Sequence, residues 1–207
     1  MRQIVTAVDV PDSGELRVAP GAIVTSAARD RAAARGVRIL EVPEDQVSVL
    51  APPGKVVAIG ADHGGFRLKD TLKPVLASLG LEVRDVGVYE EKPADYPDLA
   101  QKVGELVASG ACTRGVVIDG AGIGSCMAAN KIPGIRAALC YDKSSARNSR
   151  EHNDSNVLTL GARLLTESQA EEVLRTWIAT AFAGGRHQAR IDKITAIERQ
   201  YAKKASL

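Results

Sequence analysis

Five short apolar runs alternate with amphipathic helical patterns after residue 55, and this alternation constrains the fold more than any other feature. The runs lie at residues 56–60, 81–87, 115–119, 135–140 and 156–161. Short runs rich in Val, Ile and Leu are typical of strands covered on both faces. Apolar stripes at helical spacing lie between and after them, around Leu72, Val103 and Trp177, and a last helix is predicted over residues 189–203. This order predicts a Rossmann-like α/β fold, a five-stranded parallel sheet with helices on both faces.

The segment APPG at residues 51–54 divides the chain, because two prolines and a glycine interrupt regular structure. We therefore predict an α/β domain over residues 55–207 and a small α+β extension over residues 1–50. In the extension, residues 16–18 and 22–24 are predicted to pair as a hairpin. Thr25 or Ser26 is predicted to cap a short helix that ends at Gly36, and residues 37–42 to form another strand.

Composition favours a protein of the cytoplasm. The net charge is only +2 and aromatic residues make up 3% of the chain, which argues against nucleic-acid and membrane-surface partners. No stretch approaches the roughly 20 apolar residues of a membrane span, and the first residues lack the pattern of a secretory signal. Three cysteines, Cys112, Cys126 and Cys140, form no CxxC pair, as in a reducing compartment.

Polar residues and glycines cluster where the predicted strands end. Asp62 and His63 follow the first strand, and Asp119 closes the third before the turn GAGIG at residues 120–124. His152 lies in REHNDSN, expected to be a loop before the fifth strand. Because carboxyl ends of parallel strands share one edge of a sheet, we expect Asp62, His63, Asp119, the turn and the region leading to His152 to lie together.

Two arginines near the C-terminus have helical spacing. Arg186 and Arg190 are four residues apart, so in a helix they share one face. Two planar guanidiniums on one face are suited to bind a phosphate group, and the alternative is a basic surface that contacts only solvent. A metal site fits poorly, because the His and Cys residues lack ligand spacing. A dinucleotide site also fits poorly, because the third glycine of GxGxxG is Ser125 and the motif follows the third strand rather than the first.

Six motifs occur in an order that resembles the ribose-5-phosphate isomerase B family, which includes the paired subunits of galactose-6-phosphate isomerase. They are GADHGGFRLK, DYPD, GAGIGSCMAANK, GIRAALC, SREHNDSNVLTLGAR and GGRHQARIDKITAIE, within about residues 55–199. The resemblance implies an aldose–ketose isomerase without metal or other cofactor. It would interconvert ribose 5-phosphate and ribulose 5-phosphate, or a closely related sugar phosphate, through an enediolate. It also implies a homodimer, or a dimer of dimers, whose subunits share active sites.

The resemblance implies roles for individual residues. Asp62 and His63 would bind substrate hydroxyls and phosphate, His152 would assist ring opening, and Asn153 would hold the enediolate. Arg186 and Arg190 would bind phosphate. The remaining substrate contacts would come from the turn, at Gly120, Gly122, Gly124 and Ser125.

The chain departs from the family at the catalytic base. One branch of the family has a catalytic cysteine where this chain has Asp119, and another has a glutamate where it has Ser125. A threonine usual in the cysteine branch is Ala121 here. We expect Asp119 to be the base and Cys126 to be its rival, although one residue beyond Ser125 turns a helical side chain by about 100°. The alternative function is a non-catalytic sugar-phosphate binding or assembly subunit that needs a partner for activity.

The extension resembles another group of proteins. Its segment LRVAPGAIVTSAARDRAAARGVRI is similar to N-terminal segments of some enzymes of bacterial microcompartments. Residues 1–50 are therefore either a docking or targeting element, with the enzyme inside a microcompartment, or a solvent-exposed or dimer-bracing extension.

Overall fold

The computed structural model describes residues 4–5, 10, 15–43 and 56–202. The chain forms two compact units, Met1–Lys55 and Val56–Leu207. The linker predicted at residues 51–54 lies outside the described residues.

The larger unit contains the predicted parallel sheet. Its order is β6-β5-β7-β9-β8, and every neighbouring pair is parallel. The strands are β5 (Val56–Ala61), β6 (Glu82–Asp85), β7 (Arg114–Asp119), β8 (Ala137–Leu139) and β9 (Val157–Gly161). The central strands β5, β7 and β9 are buried almost throughout, as expected for strands covered on both faces. The predicted fold is confirmed.

Helices cover both faces of this sheet. The helices of this unit are α2 (Phe66–Ser78), α3 (Tyr96–Ala108), α4 (Ile123–Ala129), α5 (Lys143–Asn153), α6 (Glu167–Ala179) and α7 (Gln188–Ala202). One apolar core lies between the sheet and α2, α5 and α6, around Leu72 and Trp177. A second core lies on the opposite face with α3 and α4, around Val103 and Ala129. Thr166 and Gln169 form a capping box at the start of α6.

Helix α5 differs from the sequence expectation. It is a regular helix that ends at Asn153, so His152 lies in its last turn and not in a loop. Asp142 caps it, with Ser145 in a reciprocal capping box. Its buried residues, Ala146, Ser149 and Arg150, include a single apolar side chain, so α5 presents no apolar stripe.

The smaller unit has its own apolar core, which includes Leu16, Val18, Ala28 and Ala32. Its elements are β1 (Ile4–Val5), β2 (Glu15–Val18), β3 (Ile23–Val24), α1 (Ser26–Arg35) and β4 (Arg38–Glu41). The hairpin prediction is wrong, because β2 pairs in parallel with β4 and β3 pairs in parallel with β1. Thr25 caps α1, and Gly36 ends it with a left-handed backbone.

Two kinds of feature are absent from the described residues. None of the helices in these ranges is long and apolar enough to cross a membrane. The same part of the chain holds no group of three or more His, Cys, Asp or Glu side chains arranged to bind a metal ion.

Candidate active site

Asp62 and His63 lie where β5 ends, in the turn that leads into α2. Asp62 is buried, and its Oδ1 accepts a hydrogen bond from Gly65 N at 2.9 Å. Only glycine fits at position 65, because a Cβ there would lie 2.4 Å from Ile118 O. His63 is exposed, and its Nδ1 accepts a hydrogen bond from Ala94 N at 3.4 Å. This bond assigns the proton of the neutral imidazole to Nε2, the nitrogen available to a ligand.

The glycine turn, residues 120–124, packs closely on the end of β9 and on α3. Gly122 has a φ of +76°, and a Cβ on it would lie 2.8 Å from the carbonyl carbon of Leu160. A Cβ on Gly124 would lie 2.5 Å from the ring of Tyr96, the first residue of α3. The backbone of the turn is therefore fixed by contacts that only glycine permits.

The Asp119 carboxylate binds the backbone of this turn. It is 4% exposed and accepts four hydrogen bonds. Oδ1 accepts from Ala121 N at 2.7 Å and from Gly122 N. Oδ2 accepts from Ser125 N at 3.0 Å and from Ser125 Oγ at 2.5 Å. A carboxylate offers about four acceptor positions, so all of them are occupied here.

Three amides of the turn remain available to a ligand. Within residues 56–202, no acceptor is within hydrogen-bonding reach of the N–H groups of Gly120, Ile123 and Gly124. The side chain of Arg163 lies against the same turn, 3.6 Å from the position of a Cβ on Gly120. It is exposed and pairs with no carboxylate of the described chain. Free amides beside a guanidinium form a site suited to an oxyanion.

We call Asp62, His63, Asp119, Arg163 and the glycine turn the turn half-site. All of them lie at the carboxyl edge of the sheet, after β5, β7 and β9. The sequence predicted that every member of this half-site except Arg163 would lie together. In the structure these predicted members do lie at one edge of the sheet.

A second cluster forms around His187, a buried histidine between Arg186 and Arg190. The rings of His152 and His187 stack with their centroids 4.2 Å apart and their planes 8° from parallel. Asn148 Nδ2 lies 2.9 Å from His152 Nδ1. Arg186 Nε and Arg190 Nη1 each lie 3.5 Å from a ring nitrogen of His187, and both guanidiniums are exposed. We call this cluster, together with Asn153, the arginine half-site.

The electrostatics of the arginine half-site favour a neutral His187. Burial lowers the pKa of this imidazole below its usual value, and the neighbouring His152 lowers it further. Arg186 and Arg190 act in the same direction, opposed only by the more weakly coupled Glu151. The cluster therefore carries its positive charge on two exposed guanidiniums around an uncharged ring, an arrangement that suits a doubly charged phosphate.

The two half-sites lie at opposite edges of the sheet. Helix α5 begins after the carboxyl end of β8 and ends before the amino end of β9, so its 11 residues cross about 16 Å. Asn153 O consequently accepts a hydrogen bond from Arg136 Nε, just before β8 begins. The expectation that the chain leading to His152 would bring this residue beside Asp62 and Asp119 is therefore wrong within one chain. Only the start of that region, at Asp142, lies at the carboxyl edge.

Cys126 lies on the β8 side of α4. Its Sγ is 3.5 Å from Ala137 O and 3.6 Å from Asn130 Nδ2. These contacts hold the thiol against β8, on a different side of α4 from the Asp119 carboxylate that binds Ser125.

Sequence reasoning gave no role to Arg163, His187 and Asn148, which belong to the two half-sites, or to Tyr96, which packs on the glycine turn. Arg163, His187 and Tyr96 lie within the motifs SREHNDSNVLTLGAR, GGRHQARIDKITAIE and DYPD. Position alone could have identified Arg163, because it follows the carboxyl end of a central strand.

The larger unit is similar to known proteins. The family model described as Ribose/Galactose Isomerase matches residues 57–194. Ribose-5-phosphate isomerase B of Escherichia coli is 42% identical over 146 residues, which are 70% of this chain and 98% of that protein. D-erythrulose-4-phosphate isomerase of Pectobacterium atrosepticum is 39% identical over 147 residues, 70% of this chain and 95% of that protein. The solved ribose-5-phosphate isomerase B of Clostridium thermocellum is 48% identical with a TM-score of 0.70, covering 70% of this chain and 99% of that one.

Proposed function

Because the chain belongs to the ribose/galactose isomerase family, we propose that it interconverts ribose 5-phosphate and ribulose 5-phosphate, or a closely related sugar phosphate, without a cofactor. The observation that carries this proposal is the glycine turn, which has three amides that donate no hydrogen bond within residues 56–202 and packs against the Arg163 side chain at Gly120. Isomerisation passes through an enediolate, and preorganised N–H donors stabilise its developing negative charge.

Each half-site has its own part in the proposed reaction. His152 assists opening of the cyclic sugar, and Asn153 together with the amides at Gly120 and Gly124 holds the enediolate. Phosphate is bound by the guanidiniums of the arginine half-site and by His63. Asp62 and Ser125 complete the contacts with substrate.

Asp119 is the proposed base, and Ser125 controls its access to substrate. Since the four acceptor positions of the carboxylate are filled, one must be released before a proton can be taken. The Ser125 hydroxyl is the bond that can be released, because rotation about a single C–O bond frees Oδ2 without moving the backbone. Asp119 then takes the proton from C2 of the open-chain aldose and returns it to C1, while the proton of the C2 hydroxyl moves to the C1 oxygen.

The test of the base compares two variants. Asp119→Asn should reduce exchange of the C2 proton with deuterated water by roughly 10²–10⁴-fold, the usual share of general-base catalysis. Ser125→Ala frees one acceptor position, so it should retain exchange, and Cys126→Ala should leave most activity. An active Asp119→Asn variant with an inactive Cys126→Ala variant would assign the base to Cys126 instead.

We infer that the protein acts as a homodimer, alone or within a dimer of dimers. The half-sites occupy opposite edges of one sheet, so a second copy is the natural source of the missing half. Two helices also present exposed apolar side chains that a second copy could cover. These side chains are Ile123 and Met127 on α4, and Ile194, Ile197 and Tyr201 on α7.

A complementation experiment tests this sharing. One variant carries His63→Ala and Arg163→Ala, and the other carries Arg186→Ala and Arg190→Ala; all four side chains are exposed. Co-expression should give mixed dimers with one intact site, and about a quarter of wild-type activity for random pairing in a two-fold dimer. Mixtures no more active than the separate variants would contradict shared sites.

The substrate is tested with sugar phosphates of four, five and six carbons. Turnover of ribose 5-phosphate, with deuterium incorporated at C2 or C1, is expected. Tight binding of a sugar-phosphate acid without any exchange would instead identify a binding subunit.

For residues 1–50, we propose a docking element for a bacterial microcompartment, with the enzyme working in the cytoplasm or inside that compartment. Its support is a separate compact unit with its own core, outside the matched residues 57–194. Removal of residues 1–55 should preserve isomerase activity and abolish co-purification with shell proteins. Retained co-purification would favour a solvent-exposed or dimer-bracing extension.

A further inference from the structure

Arg150 connects three segments around the arginine half-site. It lies in α5, two residues before His152, and is 6% exposed. Its Nη1 donates to Asp154 Oδ1 at 2.7 Å and to Ser155 O at 2.5 Å. Its Nε donates to Thr180 O at 3.2 Å. One guanidinium therefore joins the end of α5, the turn after it and the chain that leaves α6.

The segment bound at Thr180 leads directly to the phosphate-binding arginines. Residues 180–184 have no regular structure and continue into the 3₁₀ turn Gly185–His187, which contains Arg186. The other contacts of this segment with α5 are the hydrogen bond from Ala183 N to Glu151 O and the stacking of His187 on His152. Because irregular segments lack a ladder of backbone bonds, a few such contacts decide where this segment lies.

Arg150 also supports the unusual turn after Asn153. Asp154 has a φ of +44°, in the left-handed region that is uncommon for residues other than glycine. Its carboxylate is held by Arg150 on one oxygen and by Arg136 on the other. Arg136 would keep Asp154 paired if Arg150 were replaced, so among the described residues the bonds to Ser155 O and Thr180 O are the ones that Arg150 alone provides.

We propose that Arg150 is a positioning residue that holds Arg186, His187 and Asn153 in one arrangement, so that phosphate and the enediolate are bound together. This proposal rests on the proposed function. Without Arg150 the chain from Thr180 to Arg186 can move relative to α5, and the two phosphate-binding guanidiniums no longer converge.

Arg114 offers a matched control. It is a second arginine on the same indole, half-buried, with Cζ 5.2 Å from the Trp177 ring centroid, compared with 5.7 Å for Arg150. It donates to Trp177 O and Ile178 O, both in α6. Among the described residues it makes no hydrogen bond to α5 or to residues 180–187. Burial and the like charge of Arg150 lower the pKa of Arg114 to about 10, so its loss relieves a repulsion.

The experiment compares Arg150→Met with Arg114→Met in the full-length protein. We measure inhibition by inorganic phosphate, KM and kcat for ribose 5-phosphate, and the imidazole nitrogen signals of His152 and His187 by NMR. Arg150→Met should raise the phosphate inhibition constant and KM by about 10–100-fold, as expected for loss of one or two charge-assisted contacts, with a smaller change in kcat. It should also shift both imidazole signals. Arg114→Met should stay within about threefold of wild type, because it leaves the phosphate contacts in place.

Equal changes in the two variants would overturn the proposal, because both remove a guanidinium from the Trp177 ring. If Arg150→Met does not fold, Arg150→Lys retains the charge without the planar fork and should still weaken phosphate binding relative to Arg114→Lys. A wild-type protein that turns over no sugar phosphate would refute the proposed function. Phosphate binding by equilibrium dialysis and the imidazole signals would then still decide whether Arg150 positions the cluster.

Discussion

Replacement of Asp119 by asparagine tests whether this carboxylate holds the glycine turn as well as acting as the proposed base. Asparagine has nearly the same shape but offers one carbonyl oxygen and one NH₂ group. If the oxygen faces Ala121 N and Gly122 N, the NH₂ group faces Ser125 N, a second donor, across the present 3.0 Å. If the asparagine amide is turned the other way, the N–H groups of Ala121 and Gly122 both face the NH₂ group, which is also a donor. The Ser125 hydroxyl alone can rotate and accept.

The cost of this substitution follows from the four bonds. A hydrogen bond to a charged group contributes about 1.5–3 kcal/mol and a neutral one about 0.5–1.5 kcal/mol. The bond from Ser125 N is lost, and the two bonds retained from Ala121 and Gly122 each weaken by roughly 1 kcal/mol as they become neutral. We therefore expect Asp119→Asn to lower the free energy of unfolding by about 3–5 kcal/mol.

Urea denaturation followed by circular dichroism measures this change. Asp62→Asn is the matched control, because Asp62 is also buried at the carboxyl edge but accepts a single side-chain bond, which asparagine can retain. It should change the free energy of unfolding by less than about 1 kcal/mol. A change of that small size in Asp119→Asn would show that the carboxylate does not hold the turn. Activity of Asp119→Asn is therefore to be compared at equal folded fraction.

Three further outcomes are expected. Gly124→Ala places a Cβ 2.5 Å from the exposed Tyr96 ring, which can rotate away. We therefore expect kcat/KM to fall while the melting temperature changes little, and we expect Tyr96→Ala to reduce the effect of Gly124→Ala on kcat/KM. Because the pKa of His187 in the folded protein is lower than 6.5, the unfolded chain protonates this imidazole at a higher pH than the folded protein does. The free energy of unfolding should then fall as the pH drops below 6.5 through the folded pKa, and His187→Gln should reduce this dependence. Arg190→Ala should weaken binding of phosphorylated sugar about tenfold or more without affecting unphosphorylated sugar, and equal losses would indicate misfolding.

The sheet could be predicted because burial on both faces leaves a direct trace in the sequence. The run VVAIG is apolar throughout, GVVID is apolar up to its closing aspartate, and the stripes around Leu72 and Val103 recur at helical spacing. Helix α5 leaves no such trace, since its buried side chains are mostly polar and bond to one another or to the backbone. Its capping box, Asp142 with Ser145, was the available indication.

The hairpin error in the N-terminal unit has a related cause. Leu16–Val18 and Ile23–Val24 are close in sequence, which suggested a direct pairing. The helix from Ser26 to Arg35 followed by another strand, however, repeats the strand–helix–strand order of the larger unit. That order favours a parallel pair joined by a helical crossover, and β2 and β4 form such a pair.

The candidate site was predictable as a set of residues but not as a geometry. Motif order identified Asp62, the glycine turn and the two arginines, yet the direction of α5 decides that they lie at opposite edges of the sheet. The same limit applies to Asp119. Aspartate side chains often accept bonds from backbone N–H groups two residues ahead, so an aspartate before a glycine turn is suited both to hold the turn and to act as a base. Since the Ser125 hydroxyl fills the last acceptor position, a base at Asp119 requires this hydroxyl to move. Ser125, which stands where one branch of the family has a glutamate, therefore controls the proposed proton transfer.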